Sequence, residues 1–274
     1  MDLKKIAIHS VPRSGSTWVG SIFDSSPQTA YRFQPLFSYA HKGQLDVKAS
    51  RNEIDEFFND IFKTTDSFVL QKDYKVKELT PRFNKDVPTH LVYKEVRYHN
   101  ILENLLQKDD DVIVIGIVRS PFATICSWLM TPKEFKKELG WLEEEEWRFA
   151  PKKNSDKPEE FNGFEKWKEV TKLFLKLNQD YPNQFYLLSY DDLLQNTETE
   201  IKKMFKFCQL EMSEQTHAFL TKSTSSTAKD DDPYSVFKSK KKDNAWKNNL
   251  PSFIEEEIKA DKEFKKLNFH FKWV

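Results

Sequence analysis

The sequence predicts an α/β fold of three layers, with helices on both faces of a central parallel sheet. Apolar runs of strand length alternate with segments of helical period along most of the 274 residues, as crossover connections between parallel strands require. The run Val112–Val118 is nearly continuous Val and Ile, the pattern of a strand buried on both faces. A Gly-Ser-Thr turn sits directly between the first apolar run and the first helical segment.

Taken in order, Ile6 to Ser10 forms a first strand that ends before Pro12, and the spacing of Trp18, Ile22 and Phe23 opens a helix at Thr17. Phe57, Phe58, Ile61 and Phe62 recur at helical spacing and predict a helix over Arg51 to Lys63. Phe68 to Gln71 reads as a short strand. Leu91 to Lys94 reads as another, followed by an amphipathic helix through Ile101, Leu102, Leu105 and Leu106. After Val112–Val118, Pro121 begins a helix carrying Ile125, Trp128 and Leu129. Phe164, Trp167, Val170, Phe174 and Leu177 mark a long helix, Phe185 to Leu188 a strand, and Ile201 to Phe207 a helix.

Two stretches read as irregular. Pro132 to Pro158 is charged and Trp-containing, with Glu143 to Glu146 as a solvated helix face. Lys222 to Lys242 is a loop by composition, of the length that lids and binding loops have. With no repeat and no linker, residues 1–274 form a single domain.

Lys plus Arg and Asp plus Glu both number 43. This balance argues against a general binder of nucleic acid or membrane surfaces, which needs an excess of clustered positive charge, while leaving room for a local basic pocket. A hydrophobic fraction of 38% with 23 Phe supplies a core, so the chain is globular rather than disordered. Cys126 and Cys208 make neither a disulfide framework nor a four-thiolate metal site and read as buried, inert thiols. The N-terminus lacks the apolar region of a signal peptide, and no apolar run approaches the roughly 18 residues of a membrane helix. A cytoplasmic protein without a membrane segment is expected.

The turn Pro12-Arg13-Ser14-Gly15-Ser16-Thr17-Trp18 aims unpaired backbone N–H groups at one point, backed by the positive end of the following helix. Ser14, Ser16 and Thr17 add hydroxyl donors. A Ser-rich helix cap is the plainer reading of the same residues. The turn is not a Walker A loop: Ser10 and Ser16 stand where that pattern has Gly and Lys, and the positive charge has moved to Arg13. The strand Val112–Val118 ends in Arg119, where a nucleotide triphosphatase usually has a metal-binding Asp. A cation there binds an anion and repels a metal, so no metal site is expected. Ser127, eight positions on, returns to the same region from the next helix.

Together these motifs resemble the sulfotransferases that use 3′-phosphoadenosine 5′-phosphosulfate (PAPS) and release adenosine 3′,5′-bisphosphate. The first matches at Pro12 to Trp18 and the second at Arg119 and Ser127. Val92 to Arg97, Ile117 to Pro121, Tyr234 to Lys238 and Asn244 to Lys247 look closer to the carbohydrate branch than to the cytosolic small-phenol branch. The resemblance implies a P-loop-like nucleotide-binding core and sulfuryl transfer to a hydroxyl-bearing acceptor, a saccharide among the candidates.

The resemblance also implies roles. Arg13, Ser14, Gly15, Ser16, Thr17 and Trp18 surround the 5′-phosphate, with Trp18 either beside the adenine or packed in the core. Arg119 and Ser127 hold the 3′-phosphate, the guanidinium fork matching two of its oxygens. Tyr190 lies near the nucleotide and Thr224 at the base. Lys238 and Lys240 close over the 3′-phosphate, although Ser239, Lys240 and Lys241 replace the Arg-Lys-Gly of cytosolic relatives. Trp246 is read as a hydrophobic latch.

Arg13 is the candidate catalytic cation, placed to stabilise charge growing on the bridging oxygen. Gln34 stands where carbohydrate-branch relatives often have a Glu base. Glu95 is the substitute, with His99 behind it and His41 third; a salt bridge from Glu95 to Lys94 or Arg97 is the competing reading. Two other classes of function are open at this point: a P-loop kinase using ATP, and a nucleotide-binding module that has lost catalysis.

Overall fold

Five strands pair into one parallel sheet, and the segments between them supply its helical covers. The computed structural model describes residues 3–274 apart from 77, 79, 158, 226–235 and 237–242. In chain order the elements are β1 (Lys4–Ser10), α1 (Ser16–Ser25), β2 (Thr29–Phe33), α2 (Arg51–Lys63), α3 (Lys72–Val76), β3 (His90–Glu95), α4 (Leu102–Lys108), β4 (Val112–Val118) and α5 (Pro121–Leu129). There follow α6 (Glu143–Glu146), α7 (Gly163–Asp180), β5 (Phe185–Ser189), α8 (Tyr190–Gln195), α9 (Thr197–Phe207), α10 (Glu214–Thr224), α11 (Ser252–Ala260) and α12 (Lys262–Phe271).

The strand order is β2-β3-β1-β4-β5, and every pairing is parallel. From β1 the chain passes to the edge strand β2, returns inward to β3 beside β1, then crosses to β4 and β5 on the other side. The carboxyl end of β1 is therefore a topological switch point, where open α/β sheets leave a crevice. All seven residues of β4 are buried, because both faces of the sheet are covered. On one face Ala7, Tyr93 and Val114 pack against α2, α4, α5, α7, α11 and α12. On the other Ile8, Val92 and Ile115 pack against α1, α8, α9 and α10.

The three-layer architecture expected from the sequence is the one observed, with local differences. Phe68–Gln71 is a turn rather than a strand. The Asp66 carboxylate accepts from the Val69 N–H at 2.8 Å, and Leu70 donates back to the Asp66 carbonyl at 3.1 Å. Phe68 contributes a ring against Phe33, centroids 5.4 Å apart, instead of a ladder. The edge strand β2 was not expected, because Arg32 interrupts its apolar pattern. That guanidinium is buried but satisfied, donating to the carbonyls of Ile61, Phe62 and Tyr31 at 2.5–2.8 Å. Glu146 departs from the solvated face assigned to its run: it is buried and accepts from the Lys152 N–H at 3.1 Å. The loop assigned to Lys222 to Lys242 begins later, since α10 extends to Thr224. Most of its remainder lies outside the described residues. Cys126 and Cys208 are buried and unpaired, and burial raises both thiols above their ordinary range, Cys126 to about 11. Among the described residues no helix is long and apolar enough to cross a membrane.

Candidate active site

A cavity of about 550 Å³ opens at the carboxyl ends of the strands. The turn after β1 forms its floor. Arg13 (φ 65°) and Gly15 (φ 82°) both adopt left-handed backbone, which turns the chain sharply enough to start α1 at Ser16. Gly15 caps that helix, no side chain caps it, and its first turn has no acidic residue. Its leading N–H groups are thus left for an anion. A methyl group on Gly15 would lie 2.1 Å from the Tyr190 ring, so this close approach demands glycine. Ser14, between the two left-handed residues, is buried with its hydroxyl unpartnered.

The end of β4 supplies Arg119, whose Nη1 donates to the carbonyl of Arg13. Its other edge faces Asp243: Nη2 donates to Oδ1 at 2.6 Å and Nε donates to Oδ2. The guanidinium lies over the Tyr190 ring, 5.1 Å from its centroid. Burial disfavours the Arg119 cation, but Asp243 outweighs burial and holds its pKa above the ordinary value. From α5, Ser127 Oγ accepts from Arg13 Nε at 3.1 Å. Arg13 Nη1 also reaches Glu134 Oε1 at 3.4 Å. Both cations expected from the sequence therefore meet at one turn. Trp18 lines the cavity with its ring edge toward Tyr190 and donates from Nε1 to Ser223 Oγ at 3.2 Å.

Other expected residues are placed elsewhere. Thr224 does not line the cavity; its hydroxyl donates to the Leu220 carbonyl at 2.7 Å. Lys238 and Lys240 lie outside the described residues. Glu95 is fully buried and does not line the cavity. Its Oε1 accepts from the Leu36 N–H at 2.7 Å, its Oε2 has no partner, and burial pushes its carboxyl up to about 8. His99 is buried too, with Nδ1 3.2 Å from Nδ1 of His9 and its ring edge-on to Phe174. Burial pulls it down to about 3. His41 bonds to Gln44 and Thr64. The reason for the misplacement of Glu95 is the pleat of β3. Successive side chains face opposite sides, and in this strand Lys94 lines the cavity while Glu95 does not.

Sequence reasoning thus missed Lys94, Glu134 and Asp243, all of which line the cavity. Counting alternation from Tyr93, an apolar residue of the opposite core, would have found Lys94. Its ammonium lies 4.6 Å from the Phe33 ring centroid, and burial pulls its pKa down to about 8. Phe33, Phe37, Phe68 and Tyr74 form an aromatic wall with ring centroids 5.4–5.9 Å apart. Gln34, at φ 43°, links that wall to β3 by donating its N–H to the Lys94 carbonyl at 2.8 Å. Among the described residues no group of three His, Cys, Asp or Glu side chains is placed to hold a metal ion.

Comparison with known proteins follows the same line. The fold is similar to the sulfotransferase domain of the Synechococcus PCC 7002 olefin synthase, with a TM-score of 0.55 and 15% identity over 98% of this chain and 94% of that one. It is also similar to the sulfotransferase domain from the curacin biosynthetic pathway, with a TM-score of 0.50 and 14% identity over 99% and 98% of the two chains. At such identities the likeness speaks for the fold. A search of curated protein sequences returns no match. A family profile described as the sulfotransferase domain matches residues 3–267. Since that match leaves only the two ends uncovered, the chain belongs to the sulfotransferase family.

Proposed function

We propose that this protein transfers a sulfuryl group from PAPS to a hydroxyl carried on an apolar, ring-bearing acceptor. The carrying observation is the meeting of Arg13 and Arg119 at an uncapped helix N-terminus inside one cavity. The residues suit the donor: the Ser14 hydroxyl of the turn is buried without a partner, Arg13 and Arg119 both line the cavity, and its volume lies in the range of small-molecule sites. When bound, the donor supplies an activated sulfur with a phosphate as its leaving group.

The residues of the turn, Arg13 to Trp18, hold the 5′-phosphate through backbone N–H groups and hydroxyls. Arg119 and Ser127 hold the 3′-phosphate, and Trp18 and Tyr190 flank the base. Arg13, with Lys94 as a second cation from β3, stabilises the charge that grows on the bridging oxygen. Among the described residues, Glu134 and Asp243 are the carboxylates that line the cavity. Asp243 lies at Arg119, on the side given to the 3′-phosphate, whereas Glu134 lies 3.4 Å from Arg13, the cation given to the bridging oxygen. We therefore assign the base to Glu134 rather than to Glu95 or His99. Glu134 takes the acceptor proton as the acceptor oxygen bonds to sulfur and the bond from sulfur to the bridging oxygen breaks. The acceptor side is walled by Phe33, Phe37, Phe68, Tyr74 and Met130. This surface favours an apolar body over the saccharide that the motifs suggested.

Two measurements test the reading. In metal-free buffer, adenosine 3′,5′-bisphosphate at a hundredfold excess over its Kd should raise the melting temperature by roughly 5–10 °C. Stabilisation by ATP with Mg²⁺ and none by the bisphosphate would sink it. Mass spectrometry with labelled PAPS should then find sulfate on phenols or hydroxylated polycyclic lipids; sulfation confined to sugars would overturn the acceptor assignment.

A further inference from the structure

Asp243 immediately precedes the turn that carries Trp246, and Trp246 is stacked on Phe122 of α5 with centroids 4.7 Å apart. The segment is thereby tied to the helix that also carries Ser127. From this anchor the Asp243 carboxylate reaches the fork of Arg119 with both oxygens. Both side chains are largely buried, 8% and 16% exposed. Two oxygens on one edge of a guanidinium is the geometry in which arginine takes a phosphate.

We propose that Asp243 is a built-in anion of the donor site, occupying the Arg119 fork whenever the 3′-phosphate is absent, so that nucleotide binding and release are exchanges of phosphate for carboxylate. The inference rests on the assignment of Arg119 to the 3′-phosphate. A guanidinium buried without an anion would be costly and free to turn away. Asp243 satisfies it, while the bond from Nη1 to the Arg13 carbonyl keeps it aimed at the turn. The arrangement has a direction. A ligand bearing a 3′-phosphate must displace the carboxylate, so it binds more weakly than to a vacant fork. On departure it is replaced by a group already in place. A nucleotide with only a 5′-phosphate requires no exchange and is indifferent to residue 243.

The test is calorimetric titration of the full chain with adenosine 3′,5′-bisphosphate and with adenosine 5′-monophosphate. Asp243→Asn and Asp243→Ser should each bind the bisphosphate about tenfold more tightly than the parent, with the monophosphate unchanged within about twofold. In an Arg119→Met background the gain from Asp243→Asn should vanish, since the two side chains act as one pair. Unchanged or weaker bisphosphate binding by both single variants, with melting temperatures showing them folded, overturns the proposal. Failure of the underlying assignment looks different: the parent would show no preference for the bisphosphate over the monophosphate, and Arg119→Met would lose nothing.

Discussion

At the scale of single residues, the pleat of β3 decides which side chains can do chemistry. Lys94 and Glu95 are neighbours in sequence, yet only Lys94 reaches the cavity. Replacing Glu134 by Gln should lower kcat by about a hundredfold or more, in the range of a lost general base, with little change in the Kd of the bisphosphate. The deficit should shrink as acceptors become more acidic, because an acidic phenol needs less help in losing its proton. A uniform deficit across a graded phenol series would assign Glu134 to positioning Arg13 instead. Gly15→Ala meets both a left-handed backbone and the Tyr190 ring. It should cost about 1–3 kcal/mol in urea denaturation and abolish binding of the bisphosphate.

At the scale of elements, what was legible followed from how completely a segment obeys one period. The helix over Arg51–Lys63 and the strand Val112–Val118 stand at the bounds that their apolar spacing predicts. Gly15 and Arg119 lie where the turn and the strand end put them. By contrast β2 hid behind Arg32, whose burial depends on carbonyls at the end of α2, a partner remote in sequence. Phe68–Gln71 has strand composition, but a local Asp66 side-chain bond won over a ladder. Such contacts have no period. Arg32→Met should destabilise the fold by about 3 kcal/mol or more, since it strips donors from buried carbonyls. Amide exchange in the last turn of α2 should accelerate more than elsewhere.

At the scale of the molecule, the two cores differ in what they bury. The core facing α2 and α7 encloses the contacting pair His9 and His99. Burial depresses both, His99 to about 3, and His9 is further lowered by His99 and Lys94. A depressed folded value means that the neutral form is the one folding favours. Their contribution is therefore complete above about pH 6.5 and is lost as pH falls toward 3. Each proton taken up on unfolding adds a slope of about 1.4 kcal/mol per pH unit. Urea titrations between pH 7 and pH 4 should show this fall, and His99→Gln should flatten it. The balanced charge of 43 against 43 hides the local excess at the switch point, where Arg13, Lys94 and Arg119 converge on one cavity.

Trp18 and Trp246 both look into that cavity. Indole emission responds to neighbouring charge and ring stacking, so the protein carries an intrinsic optical probe at each end of the proposed nucleotide seat. Rapid mixing with the bisphosphate should give a fluorescence transient without any label. Removing Trp246 while keeping Trp18 would show whether one end fills before the other.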